Sequence, residues 1–133
     1  MSEYILKLER ISKSFEGVEV LKDISLDVKK GEFITFLGPS GCGKTTTLKI
    51  VSGLLDPDEG RVVLHGQDVT ELPPEKRNVN TVFQSYALFP HMTVEGNVGY
   101  GLKLKKVPKA EIAKRVKEML ELVQLAGYEK RYP

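Results

Sequence analysis

One octet constrains the fold of this chain more than any other feature: Gly38-Pro39-Ser40-Gly41-Cys42-Gly43-Lys44-Thr45. It matches the spacing G-x-x-x-x-G-K-[ST] of a loop that cradles phosphate groups. The short run Phe33 to Leu37, apolar on both faces, precedes it, and a helical pattern from Lys44 to Ser52 follows and stops at Gly53. A strand, a glycine-rich turn and a helix in this order predict an anion site at the helix N-terminus.

The chemistry of the octet explains its residue types. Glycines at 38, 41 and 43 let the backbone turn tightly, so that successive N–H groups form a concave nest for phosphate oxygens. Lys44 is predicted to act catalytically by neutralising the terminal phosphates. The Thr45 hydroxyl suits Mg²⁺, and Thr46 can donate a further hydrogen bond. We expect nucleotide contacts from Gly38, Pro39, Ser40, Gly41, Cys42 (through its backbone), Gly43, Lys44, Thr45 and Thr46.

The rest of the pattern favours an α/β fold. Partial alternation of apolar residues from Ile5 to Val28, with breaks at Glu16-Gly17 and Lys29 to Gly31, predicts antiparallel strands. Phe33 to Leu37 is expected to be a buried parallel strand, with further strands at Val62 to Leu64 and Val79 to Phe83. Together these segments predict a parallel core sheet beside an antiparallel one.

The last part of the chain has helical spacing. Apolar residues recur from Ile112 to Val123 behind Pro108. Gly127 is expected to end the run. In the earlier helix, Leu48 and Val51 fall on one helical face. Three glycines, at 96, 99 and 101, disfavour a helix directly after Val94.

Composition narrows the class of protein. Among 133 residues, twenty are basic and eighteen acidic, and the net charge of +2 gives no reason to expect a nucleic-acid partner. The single cysteine, Cys42, excludes an internal disulfide and fits a reducing compartment. We find neither a signal-peptide pattern nor a long apolar stretch, so the expected location is cytoplasmic.

A phosphate loop by itself does not define a reaction. GTPases read guanine through an Asn-Lys-x-Asp segment, which does not occur in this sequence. A small-molecule kinase needs a lid of arginines, whereas the arginines after the loop, Arg61, Arg77, Arg115 and Arg131, are scattered. The kinase hypothesis therefore ranks last.

Two segments together resemble the ATP-binding subunit of importer-type ABC transporters: Leu37 to Thr46 and Val82 to Val94. The resemblance covers the whole chain. Within the family, the stretch from Asn78 to Val94 is most similar to spermidine/putrescine importer ATPases, with sugar importers next. It implies a P-loop NTPase fold with an antiparallel β subdomain and P-loop core over residues 1–84, and a Q-loop and the start of a helical subdomain over 85–133.

The resemblance also implies roles for residues outside the loop. Phe15 corresponds to the aromatic residue that stacks on adenine, although from the sequence alone a core phenylalanine is the alternative. Gln84 corresponds to the Q-loop glutamine, a catalytic residue that reaches Mg²⁺ together with Thr45. The implied cofactors are therefore ATP and Mg²⁺.

The expected partners follow from the same resemblance. The apolar stretch Tyr86 to Met92 corresponds to the groove in which a cytoplasmic helix of the transmembrane permease docks, with local core packing as the alternative. The intact protein is expected to be a homodimer on the cytoplasmic face of the cell membrane, held there only through the permease.

Several family motifs do not occur in this sequence: the Leu-Ser-Gly-Gly-Gln signature, the Walker B strand ending in Asp-Glu, and the switch histidine. The chain therefore resembles the N-terminal part of a subunit, expected to bind nucleotide but to hydrolyse it poorly. An incomplete sheet also predicts an exposed apolar face near Phe33 to Leu37. Two function classes remain: an importer ATPase subunit and a nucleotide-binding interaction module without turnover.

Overall fold

The computed structural model describes residues 3–133, which form two compact units, 3–81 and 82–133. The elements of the first unit are β1 (Tyr4–Phe15), β2 (Val18–Lys29), α1 (Lys44–Ser52), β3 (Glu59–Leu64), β4 (Gln67–Asp68) and a 3₁₀ turn (Pro74–Lys76). Those of the second are α2 (Val94–Leu104) and α3 (Lys109–Leu122). The predicted boundary, between residues 84 and 85, lies close to this division.

The first unit is built on one four-stranded sheet with the order β2-β1-β3-β4, in which every neighbouring pair is antiparallel. Strands β1 and β2 are joined at Glu16 and Gly17, whose φ angles of 48° and 81° are both left-handed. Such a turn matches the right-handed twist of a hairpin. The predicted antiparallel strands and their Glu16-Gly17 break are therefore confirmed.

Helix α1 packs on this sheet through one face. Its buried residues include Thr47, Ile50 and Val51, and the last two join a core with Leu8, Ile11, Leu21, Val62, Leu64 and Val69. The predicted span of the helix is confirmed, and so is its stop at Gly53, which has a left-handed φ of 82°. Val51 is buried, whereas Leu48 is half-exposed, because residues 47, 50 and 51 form the buried face.

The predicted parallel core sheet is not formed by the described residues. The segments 33–37 and 79–83 are in no strand, and the side chains of Phe33 and Leu37 are 91% and 95% exposed. A parallel strand requires a neighbour that supplies its hydrogen bonds, and within residues 3–133 neither segment has one. The prediction of a buried strand is wrong, whereas the predicted exposed apolar face is confirmed.

The second unit contains a helix that the glycine content disfavoured. Helix α2 is capped by Thr93, whose side-chain oxygen accepts a hydrogen bond from the Gly96 N–H at 3.2 Å. Gly99 is buried, and a Cβ added there would lie 2.9 Å from Ile112 Cγ2 of α3 and 3.2 Å from Val116 Cγ2. The helix therefore forms although its glycines disfavour it, because the missing side chain at Gly99 allows α2 and α3 to pack closely.

Helix α3 confirms the predicted helical spacing, with Val116 and Leu120 as its buried residues. It ends at Leu122, before Gly127, and Val123 is already exposed. Charged side chains four residues apart pair on the exposed part of the helix, with Arg115 Nε lying 2.7 Å from a Glu111 carboxylate oxygen. No helix within the described residues is long and apolar enough to cross a membrane.

The contact at Gly99 yields a test of the α2–α3 packing. We expect Gly99→Ala to lower the free energy of unfolding by about 1–3 kcal/mol, because the new methyl group overpacks a tight interface. Gly101→Ala is the matched control, since a Cβ at Gly101 meets nothing within 4 Å. It should be neutral or stabilise by up to about 1 kcal/mol through helix propensity.

Urea unfolding followed by far-ultraviolet circular dichroism measures both variants. A Gly99→Ala protein as stable as the Gly101→Ala protein would contradict the packing described.

Candidate phosphate-binding site

The loop before α1 has the backbone of a phosphate cradle. Gly41 and Gly43 have left-handed φ angles of 81° and 94°, and the Cys42 N–H donates to the Pro39 carbonyl at 3.3 Å. Gly43 is the N-cap of α1 and has no side chain with which to cap it. The N–H groups of the first helical turn therefore face outward without an intrahelical partner, which is the arrangement that binds anions.

Two of the loop glycines also have steric reasons to be glycine. A Cβ at Gly43 would lie 2.6 Å from Leu21 Cδ2 and 3.3 Å from the Val20 carbonyl oxygen, so the loop lies directly against β2. A Cβ at Gly38 would meet Cys42 Sγ at 2.6 Å. Gly43 therefore allows the loop to pack against the hairpin, and Gly38 allows the loop to close on itself at Cys42.

Lys44 lies across the loop. Its Nζ donates hydrogen bonds to the carbonyl oxygens of Gly38 and of Pro39, the latter at 2.9 Å, and lies 3.4 Å from Cys42 Sγ. The ammonium group is thus held over the nest by neutral acceptors. A phosphate oxygen, being charged, is a stronger acceptor than these carbonyls and can replace them.

A cleft of about 540 Å³ brings the loop and the hairpin together. Its lining residues are Phe15, Val20, Ser40, Gly41, Gly43, Lys44, Thr45 and Thr46. Phe15 ends β1 and is 42% exposed, so its ring can contact a flat ligand in the cleft. The alternative that Phe15 is a buried core residue is therefore not supported. Val20 was not predicted as a site residue, and its position close to the Glu16-Gly17 turn is the only sequence feature that indicates such a role.

Three threonines follow Lys44 in α1 and have different environments. Thr45 is exposed and Thr46 is half-buried, and both line the cleft. Thr47 is buried and its hydroxyl donates to the Gly43 carbonyl at 2.8 Å, which fixes the loop to the helix. This third threonine was missed, because a buried structural hydroxyl has no motif of its own.

The donor set fits a magnesium nucleotide better than a free metal ion. No group of three or more His, Cys, Asp or Glu residues that could hold a metal occurs in the described part of the chain. Mg²⁺ keeps several waters and binds through few protein oxygens together with substrate phosphates. The Thr45 hydroxyl can supply one such oxygen beside the nest.

An acidic residue fixes the strand end that carries Phe15. The Asp58 carboxylate accepts a hydrogen bond from Lys13 Nζ at 2.8 Å and another from the Ser14 N–H at 2.7 Å. The hydrogen bond from Lys13, and to a lesser extent that from the Ser14 N–H, holds the pKa of Asp58 below its ordinary value. Lys13 Nζ also lies 5.6 Å from the centre of the Phe15 ring. The ring is therefore held at the edge of the cleft by neighbours that the sequence motif did not reveal.

The remaining predicted site residue, Gln84, lies in the second unit. Gln84 starts a turn that runs to Ala87, with left-handed φ angles at Tyr86 and Ala87. The pairing of Gln84 with Thr45 at a metal stays a prediction, since these two residues belong to different units.

The predicted docking segment, Tyr86 to Met92, is partly exposed and partly packed. Tyr86 is 75% exposed, whereas the Phe89 ring packs on Tyr100, with 4.8 Å between ring centres. Asn97, missed from the sequence, shapes the segment: its side-chain oxygen accepts from the Phe89 N–H at 2.8 Å, and its amide donates to the Phe89 carbonyl at 3.0 Å. Phe89 thus contacts Tyr100 and Asn97 but stays among the exposed apolar residues, as does Tyr86.

Comparison with known proteins agrees with this geometry. The model of the ABC transporter family matches residues 21–133, which include the phosphate loop and both helices of the second unit. The chain belongs to the ABC transporter family. Membership implies a P-loop NTPase, in agreement with the loop, its helix and the hairpin beside them.

Similar proteins in this family carry the name spermidine/putrescine import ATP-binding protein PotA. The chain is 55% identical to that of Clostridium novyi, over 98% of this chain and 38% of the relative. It is 56% identical to that of Clostridioides difficile, with coverages of 98% and 38%, and 55% identical to that of Vibrio cholerae, with 97% and 34%. The chain therefore spans little more than a third of the length of these relatives.

The lowered pKa of Asp58 gives a pH-dependent prediction. Because the folded-state pKa lies below the ordinary 3.8, Asp58 stabilises the first unit fully above that pH and loses its effect as the pH falls through the folded-state value. Asp58→Asn should therefore lower the urea midpoint at pH 7, and the gap to the unaltered chain should close in acid.

Urea unfolding at a series of pH values measures this gap. Glu71→Gln, which removes another exposed carboxylate, is the control and should leave the midpoint almost unchanged at each pH. A gap that persisted in strong acid would contradict the assignment to Asp58 ionisation.

Proposed function

We propose that this chain binds Mg-ATP, with the phosphates in the loop from Gly38 to Thr46 and the adenine ring on Phe15. One observation supports this most: a single cleft is lined by an exposed aromatic ring and by Lys44, Thr45 and Thr46. A nucleotide needs two kinds of surface: an aromatic face for its base and a nest of N–H groups for its phosphates.

The loop residues would act through position and charge. Outward N–H groups around Gly41 and Gly43 would donate to phosphate oxygens, while Lys44 would exchange its carbonyl acceptors for a terminal phosphate. Mg²⁺, held by Thr45 and by Gln84, would supply positive charge to the outer phosphates. Lys44 and Gln84 are the proposed catalytic residues of the intact protein.

For the whole protein we propose the energy-coupling subunit of an importer for spermidine and putrescine, which couples ATP hydrolysis to transport. The relatives named for this import support the polyamine over a sugar. We further propose that two such subunits form a homodimer on the cytoplasmic face of the membrane. Permease subunits would dock at Tyr86 to Met92, where Tyr86 is exposed.

A second candidate function, nucleotide binding without turnover, applies to these 133 residues by themselves. The described residues that line the cleft include no Asp or Glu that could act as a general base. We therefore propose that the chain binds Mg-ATP in the ground state and releases little phosphate.

The test is calorimetric titration with Mg-ATP, with phosphate release followed in the same samples. We expect saturable binding without sustained turnover, and a loss of affinity of at least about tenfold in Lys44→Ala, because a charge-assisted hydrogen bond to phosphate is removed. Lys49→Ala is the matched control: it removes a lysine from the last turn of the same helix, outside the cleft.

Equal weakening by the two lysine variants would overturn the site, because binding would then depend on net charge alone. Sustained Lys44-dependent phosphate release would overturn the proposal of binding without turnover.

A further inference from the structure

Arg77 is a buried arginine whose position the phosphate motif does not explain. It follows the 3₁₀ turn of the first unit and is 5% exposed. Burial lowers the pKa of its guanidinium group, and no salt bridge to it forms among the described residues. A buried charge is costly unless its donors are satisfied, so the partners of this group must offset that cost.

Those partners are four backbone carbonyl groups. Nη1 donates to the carbonyl oxygens of Ile50 at 2.8 Å and Val51 at 3.2 Å, in the last turn of α1. Nε donates to Leu72 at 2.8 Å and Nη2 to Thr70 at 3.0 Å. One planar group thereby joins the end of α1 to the segment that follows β4.

The end of α1 is shaped to receive the guanidinium group. The last carbonyls of a helix have no intrahelical donor, and a cation there interacts favourably with the helix dipole. Gly53 has a left-handed φ of 82°, and a Cβ at this position would lie 2.6 Å from Arg77 Nε. A glycine is therefore required both by the backbone and by the closeness of the arginine.

The same helix carries the phosphate site at its other end. Its nine residues are too few for a stable isolated helix, and three consecutive threonines weaken it further. The orientation of its first turn consequently depends on how the remaining turns are held. The core holds one face through Ile50 and Val51, and Arg77 holds the carboxyl end.

We propose that Arg77 is a positioning residue of the nucleotide site, which fixes the carboxyl end of α1 and thereby aims Lys44, Thr45 and Thr46 at the phosphates. This inference rests on the proposed function. Arg77 itself touches no part of the cleft, so its contribution to binding is exerted through α1.

Three variants of the 133-residue chain test the proposal. Arg77→Met keeps an unbranched side chain of similar length without the donors, and Arg77→Lys keeps the charge but cannot reach four carbonyls. Leu64→Ala is the matched control, because it truncates a core side chain in β3 without removing a hydrogen bond to α1. All are compared at a temperature where circular dichroism shows them folded.

Two measurements are made on each variant: amide hydrogen exchange in the free chain and the affinity for Mg-ATP. In Arg77→Met, exchange of α1 amides, including the Thr47 N–H bonded to Gly43, should rise at least about tenfold relative to β1 amides. Mg-ATP binding should weaken at least about tenfold, with Arg77→Lys intermediate. Leu64→Ala should speed exchange in α1 and β1 alike and keep its affinity within about twofold.

The outcomes are distinguishable. Normal Mg-ATP affinity in folded Arg77→Met, or equal weakening by Leu64→Ala, would overturn the role of Arg77 while the proposed function stands. Failure of the unaltered chain to bind Mg-ATP would overturn the proposed function itself. Unchanged α1 exchange in Arg77→Met would show that Arg77 does not hold the helix, whatever the affinity.

Discussion

The structure of the first unit depends on the unpaired N–H groups at the start of α1. A helix start needs acceptors for these groups, and Gly43 provides no side chain that could cap them. The left-handed backbone at Gly41 and Gly43 instead turns the groups toward one cleft. An anion is the acceptor that suits this arrangement, so the local backbone requirement and the proposed binding of phosphate are two consequences of one geometry.

The rest of the first unit holds this helix start in place. The β1–β2 hairpin contributes Leu21, against which Gly43 packs. It also carries Phe15, at the end of β1, whose ring lies at the edge of the cleft. Thr47 joins the helix to the loop, and Arg77 holds its other end. A weak helix thereby becomes a defined one through tertiary contacts, which is how short helices in proteins are generally stabilised.

The sequence was sufficient where local chemistry decides the structure, as in the Glu16-Gly17 turn and the span Lys44–Ser52, which ends in a left-handed glycine. It was insufficient where contacts with residues distant in the sequence decide the structure. Burial of Phe33 to Leu37 depends on strands beside it, and the helical state of α2 depends on the contact of Gly99 with α3. The role of Arg77 depends on carbonyls from two segments, the end of α1 and the residues after β4. The family resemblance identified Phe15, but the cleft was needed to place it beside the loop.

The central claim is that the phosphate loop and the hairpin form one nucleotide site. The most direct measurement is a titration of the ¹⁵N-labelled chain with Mg-ATP, followed by amide chemical shifts. The account predicts that the largest changes occur from Gly41 to Thr46 and at the end of β1 beside Phe15, with little change in α3. Large changes confined to the second unit, or none in the loop at saturation, would contradict it.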